Sequence, residues 1–155
     1  MEKLLKEIKQ TKPLGSAEEE VLINIYRTAD VLMSREIEFL KAYEITSTQF
    51  NVLRILRGAG SSGRNCSEIS ERMIRRDPDV TKLLDRLEDR GLVTRERLQN
   101  DRRIVVARIT PAGLRLLKKI DDPLQELYRH LLSHMGKDRL KLLSKLLEEA
   151  REQVG

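Results

Sequence analysis

Thr81, Lys82 and Arg86 are spaced to share one side of a helix, and Arg95, Arg97, Arg102, Arg103 and Arg108 gather around a turn that follows it, with Asp101 among them. Arginine and lysine in such arrays bind phosphates and carboxylates, and the planar guanidinium fork can also hold two acceptors on a guanine edge. Arg86 suits that guanine contact, and Thr81 suits a thymine methyl or a phosphate. Arginine at a protruding turn suits a narrow minor groove, because its weakly hydrated head loses little on entering that negative slot. No chemistry of bond making is visible beside these groups. The chain has no glycine-rich phosphate loop, no nucleophile with a paired base and no clustered carboxylate site, so neither an enzyme nor a cofactor is expected. His130 and His134 stand one helical turn apart, but no nearby carboxylate or cysteine completes a convincing metal set, and a solvated or interface pair is the expectation. Cys66 lies near a helix start, where a thiolate is favoured, yet a small buried or half-buried residue is the expected role.

The elements that must position the basic residues are marked by caps. Asp77-Pro78 announces a helix, with Asp77 as N-cap and Pro78 in the first turn. At about 100° per residue Val80, Leu83, Leu84 and Leu87 form one buried stripe, and Thr81, Lys82, Asp85, Arg86 and Asp89 occupy the opposite arc. Read blandly, that arc is a solvated face laced by ion pairs three and four residues apart. Gly91 is placed as a left-handed C-cap after Arg90. Residues 92–109 then read as a β-hairpin turning at Gln99-Asn100-Asp101, with the β-branched run Ile104-Val105-Val106 on its return strand. A helix from Asn65 to about Ile74 buries Ile69 and Met73, and with the one after it makes a helix-turn-helix.

Upstream, Thr46 and Gln49 form a capping box, Ile45 and Phe50 form a hydrophobic staple, and a helix runs until the loop Gly58-Ala59-Gly60-Ser61-Ser62-Gly63. A long helix opens at a Ser16/Glu19 capping box and continues to about Ala42, with Leu22, Ile25, Tyr26, Ala29, Leu32, Met33 and Leu40 at helical spacing. After the hairpin, Thr110-Pro111 caps a helix carrying Leu114, Leu117, Ile120, Leu124, Leu127 and Leu131, in which Pro123 marks a kink. A last helix from about Asp138 repeats Leu140, Leu143 and Leu147. The expected fold is mainly α with a small β-hairpin wing, a winged helix-turn-helix flanked by helices at both ends.

Bulk properties bound this reading. The chain of 155 residues suits one folding unit. Its leucine-rich, aromatic-poor composition, 35% charged, suits a helical protein. The net charge of +5 favours polyanions only weakly. Between Arg64 and Arg108 there are 12 basic and 9 acidic residues, so placement rather than surplus carries the case. A single cysteine excludes an intrachain disulfide and fits a reducing cytoplasm. No apolar run approaches the ~20 residues of a membrane span, and Met1 to Pro13 has no signal-peptide core, so a soluble cytoplasmic protein without a membrane partner is expected.

The run Asp77-Pro78-Asp79-Val80-Thr81-Lys82-Leu83-Leu84-Asp85-Arg86-Leu87-Glu88-Asp89-Arg90-Gly91-Leu92-Val93 is similar to the recognition-helix signature of the multiple-antibiotic-resistance-regulator (MarR) family. Asp101-Arg102-Arg103 with Ile109-Thr110-Pro111-Ala112-Gly113 resembles its wing signature, and Thr48-Gln49-Phe50-Asn51-Val52-Leu53 precedes both in the same order. The resemblance covers nearly the whole chain. It implies a transcriptional regulator, expected to be a repressor, that binds double-stranded DNA as a homodimer joined by its terminal helices. It further implies recognition-helix contacts from Asp79 to Arg86, Arg103 in the minor groove, and Asp101 bracing Arg103 through a salt bridge. Arg75, Arg76, Asp79, Thr81, Lys82, Arg86, Arg95, Arg97, Asp101, Arg102 and Arg103 are the expected DNA-binding residues. Many members of that family take aromatic or phenolic acids between their dimerisation helices and DNA-binding lobes, so a small effector of that class is an expectation too.

Apolar patterning supports a second subunit independently. A winged-helix core of residues 46–109 cannot cover the stripes of helices 17–42, 111–132 and 138–152, and faces of that size would stand exposed in a monomer. Within one domain of 1–155, the division expected is a DNA-binding lobe of 46–110 with dimerisation helices 16–42 and 111–153. With two-fold symmetry, two recognition helices would meet successive major grooves about 34 Å apart, and the target would be a pseudopalindrome. The rival class is a helical interaction module of the same fold that presents its arginines to an acidic protein.

Overall fold

The computed structural model describes residues 2–77, 79–98 and 103–152. Its elements are α1 (Glu2–Glu7), α2 (Ala17–Lys41), α3 (Ser47–Ala59), α4 (Cys66–Arg72), α5 (Val80–Asp89), β1 (Val93–Arg97), β2 (Val105–Ile109), α6 (Pro111–Leu132) and α7 (Lys137–Glu152). Contacts divide the chain into two compact units, residues 1–39 and 40–155. In the first, α2 begins with half of the expected box: Ser16 Oγ accepts from Glu19 N at 3.2 Å, but the Glu19 carboxylate takes the Gly15 amide at 2.6 Å. Along α2, Val21, Leu22, Tyr26, Val31 and Ile37 are exposed.

The second unit holds every buried apolar side chain among the described residues except Leu4. Its first long helix, α3, is the central element, packed against α4, α5, β2 and α6. Both halves of its Thr46/Gln49 box are made, at 3.2 and 3.1 Å, and Ile45 and Phe50 of the staple are both buried. The helix continues through Gly58 to Ala59 before a 3₁₀ turn at Gly60–Ser62. A second complete box, unforeseen, starts α4: Asn65 and Glu68 each accept the other's amide at 3.0 Å. This helix buries Ile69 and ends at Arg72, two residues sooner than expected. Met73 turns to extended backbone while its side chain stays buried, and the Ile74 amide is drawn to Asn51 Oδ1 of α3 at 2.8 Å.

The start of α5 corrects the expected cap. Asp77 Oδ1 accepts the Asp79 amide at 2.9 Å in a local Asx turn, and Asp79, not Asp77, receives the helix, its Oδ1 accepting Lys82 N at 3.0 Å. Pro78 lies outside the described residues. Val80, Leu83, Leu84 and Leu87 are each 7% exposed or less, as the stripe requires. The helix closes on Arg90 with Gly91 at φ +67°, and Gly91 N and Leu92 N donate to the carbonyls of Glu88 and Leu87 at 2.8 and 2.9 Å. This is a Schellman end, sealed by the buried pair Leu87 and Leu92.

The chain then enters an antiparallel hairpin in which Val93 faces Ile109 and Arg97 faces Val105. Ala107 of β2 also exchanges both backbone hydrogen bonds with Arg64, at 2.8 and 3.0 Å, a one-residue third strand that the sequence pattern did not announce. Gln99, Asn100, Asp101 and Arg102 of the turn lie outside the described residues. Thr110 caps α6 through Gly113 N at 3.1 Å, and its hydroxyl donates to the Gly91 carbonyl at 2.7 Å, tying α6 to the end of α5. Leu117, Ile120 and Leu124 anchor α6, which runs unbroken through Pro123. Arg57 of α3 and Asp121 of α6 join in a bidentate pair at 2.7 and 3.2 Å. By contrast α7 buries no residue, and Leu142 and Leu146 are half exposed.

Candidate nucleic-acid interface

Burying one face of α5 under α3 and α4 leaves its other face to solvent by geometry alone. Thr81, Lys82 and Arg86 are exposed on that face, and Asp85 lies among them around the helix. Asp79 sits at its entrance. Its carboxylate holds Lys82 Nζ at 2.8 Å as well as the Lys82 amide, and these contacts with Lys82 keep its pKa below the usual carboxylate range. The same hydrogen bond raises the Lys82 ammonium above its ordinary value. One of the ion pairs of the bland reading is therefore present, three residues apart. Arg86 makes no ion pair among the described residues. Arg75 and Arg76 are exposed in the segment leading to α5, whose course the Asn51 tether on Ile74 fixes.

On the hairpin the arginines differ in exposure. Arg97, at the end of β1, and Arg103, in the turn, are exposed. Arg95, expected at the nucleic acid, instead turns back onto α5. Its Nη2 lies 2.6 Å from Asp85 Oδ1 and 2.6 Å from Glu88 Oε2, and its Nε donates to Glu88 Oε2 at 2.9 Å. The Glu88 carboxylate beside it, with Asp85, raises the guanidinium's pKa further, so its charge is permanent. Arg108 is likewise engaged, donating to the Ser61 carbonyl at 2.7 Å and pairing with Glu96. Asp101 and Arg102 lie outside the described residues, and so does the expected brace of Asp101 on Arg103.

Residues that sequence reasoning missed are those that hold this surface in place. Glu88 accepts the backbone amide of Arg95 at 3.0 Å with the carboxylate oxygen not used by the guanidinium. The reason is ladder geometry. Ala107 turns its amide and carbonyl toward Arg64, so the facing Arg95 amide points off the hairpin's outer edge, and Glu88 satisfies it. A carboxylate three residues before a helix-ending glycine and an arginine four residues after it were the available signal. Asn51, inside α3, gave no such signal, and Asn65 and Thr110 showed only as helix starts. Cys66 is half-buried, and His130 and His134 are exposed.

No helix among the described residues is long and apolar enough to cross a membrane. The surface is thus a half-exposed helix and an arginine-bearing hairpin on a common core, and known proteins share both sequence and fold. The MarR family model matches residues 45–105, from the staple of α3 to β2. A MarR transcription factor from Planctomyces limnophilus is 36% identical, with 88% of this chain and 98% of that one aligned at a TM-score of 0.69. NadR, solved in complex with 4-hydroxyphenylacetate, is 27% identical over 91% of this chain and 99% of its own, with a TM-score of 0.70. The homoprotocatechuate degradative operon repressor of Escherichia coli is 28% identical over 127 residues, 82% of this chain and 84% of the repressor. With the exposed arc of α5, the wing beside it and these relatives together, the chain belongs to the MarR family of DNA-binding transcriptional regulators.

Proposed function

We propose that the protein is a repressor, not an enzyme, that works in the cytoplasm and binds a pseudopalindromic operator as a homodimer through Arg75, Arg76, Thr81, Lys82, Arg86, Arg97, Arg102 and Arg103. The observation that carries this is the α5 arc: a helix buried to 7% exposure or less at four apolar positions and bearing exposed Thr81, Lys82 and Arg86 on the other side. Inserted into a major groove, Arg86 offers two parallel donors to a guanine, and Thr81 and Lys82 lie one turn earlier along the same wall. Asp79 acts from the helix entrance, holding Lys82 in place. Arg103 enters the flanking minor groove, with Asp101 as its brace.

In this reading residues 46–110 form the DNA-binding lobe and residues 16–42 and 111–153 the dimerisation helices. Exposed Val21, Leu22, Tyr26, Val31 and Ile37 on α2, and exposed Leu142 and Leu146 on α7, support it, since a second copy is the economical cover for apolar faces. Regulation by a small phenolic acid is part of the same reading and rests on NadR, whose structure holds 4-hydroxyphenylacetate. Such a ligand can act only through its different affinities for the DNA-competent and incompetent spacings of the two lobes.

A salt titration of binding to duplexes from beside the protein's own gene tests the reading. If six to ten phosphates are neutralised, affinity falls by about 10³ to 10⁵ between 50 and 200 mM salt, with a preference for one pseudopalindrome. Arg86→Ala should relax selectivity at one base position at a cost of about 1–3 kcal/mol, whereas Arg103→Ala should weaken binding broadly and remove any preference for A·T-rich flanks. Salt-insensitive or absent binding would refute the proposal.

A further inference from the structure

The groove-facing arc of α5 carries a carboxylate where a phosphate-binding surface should have none. Asp85 lies between Thr81 and Lys82 around the helix, and an uncompensated negative charge there would repel the backbone that Lys82 and Arg86 approach. It is not uncompensated. Arg95 Nη2 sits 2.6 Å from its Oδ1, and Nε and Nη2 are both held by Glu88. The Arg95 side chain is 23% exposed, and its backbone amide is committed to the other Glu88 oxygen.

Resting on the DNA-binding reading above, we propose that Arg95 is a positioning residue and not a phosphate contact: held between Asp85 and Glu88, it cancels the carboxylate that faces the groove and locks the wing's first strand, β1, to the recognition helix. Two consequences follow. The wing and α5 move as one body, because β1 is bound to α5 by side chain and backbone of the same residue. The affinity lost on removing Arg95 is repulsion from Asp85 and Glu88, so neutralising those two restores it. A phosphate contact behaves differently, since no change at Asp85 or Glu88 replaces a lost donor.

The test measures duplex affinity of the full chain at fixed salt for the wild type, Arg95→Gln, the triple variant Arg95→Gln/Asp85→Asn/Glu88→Gln, and a control triple. The control, Arg95→Gln/Glu71→Gln/Asp89→Asn, makes the same charge change at acids other than the two that hold Arg95. Arg95→Gln is expected to weaken binding about tenfold or more, and the neutral latch to return within about threefold of wild type, while the control stays weak. The inference is overturned if Arg95→Gln binds like wild type, if the neutral latch stays as weak as Arg95→Gln, or if the control recovers equally. Should Arg95→Gln melt at the assay temperature, the neutral latch against wild type still decides: equal affinity supports the inference and a tenfold loss refutes it. Failure of the wild-type chain to bind any duplex overturns the DNA reading, and this inference with it, whereas wild-type binding with an unrescued Arg95→Gln overturns this inference alone.

Discussion

Single residues set the conformation of the loops that carry the interface. Gly63 has φ +64°, and a Cβ added there would lie 2.4 Å from the Ala107 carbonyl oxygen, which is backbone and cannot swing aside. Gly63→Ala should therefore cost about 2 kcal/mol or more, read as a lower denaturation midpoint at unchanged slope, and should disturb the Arg64 bridge to β2. Glu44 is the reverse case. It occupies left-handed backbone at φ 54°, at the end of α2, where its amide donates to the Lys41 carbonyl at 2.9 Å and its carbonyl accepts from the Arg90 guanidinium. Glu44→Gly keeps that carbonyl and relieves the β-carbon, so a gain of up to about 1 kcal/mol is expected by the same measurement. Asp79 belongs to this scale through its charge. Its pKa is depressed in the folded protein, so the contribution is present above the ordinary carboxylate range and is lost as pH falls through the folded value. The protection of the Lys82 amide against exchange, relative to its intrinsic rate at each pH, should fall on acidification over that window, and Asp79→Asn, which still caps, should lose the dependence.

At the scale of elements, the position of α5 is over-determined from both ends. Asn51 holds the segment that leads into it, Leu87 and Leu92 seal its end, and Thr110 links that end to α6. Thr110→Ala removes an N-cap and the bond to Gly91 together, and should cost about 1–2 kcal/mol, with faster exchange at Gly113. Thr110→Ser should retain most of that stability. Much of this scale was legible. The Thr46/Gln49 box, the Gly91 end and the α5 stripe follow from side-chain chemistry acting within a few residues. The shift of the cap from Asp77 to Asp79 was not, because two aspartates two residues apart offer the same acceptor and the Asx turn between them decides which one receives the helix.

For the whole molecule, the telling contrast lies within the second unit. Leu117, Ile120 and Leu124 of α6 are buried there, while Leu142 and Leu146 of α7 stand half exposed. Leu142→Glu/Leu146→Glu should shift the sedimentation mass from dimer to monomer. It should also lower duplex affinity by an order of magnitude or more, because a monomer engages one half-site. A wild-type chain that sediments as a monomer would leave those faces without a function.

By itself the sequence determined the helices, the wing, the buried stripe and the exposed arc, since each depends on periodicity and capping over a few residues. It also narrowed the arginines to two clusters. What only the tertiary structure decided is how far each hairpin arginine is exposed. Arg95 and Arg108 look the same as Arg97 and Arg103 along the chain, yet the first pair is half-buried against Glu88, Asp85, Glu96 and the Ser61 carbonyl, whereas Arg97 and Arg103 are exposed. The physical reason is tertiary placement: Arg95 and Arg97 share a face of β1, and the end of α5 brings Glu88 and Asp85 against Arg95. Likewise Arg64 and Ala107, which pair along the edge of β2, lie 43 positions apart in the chain, beyond the reach of any local pattern.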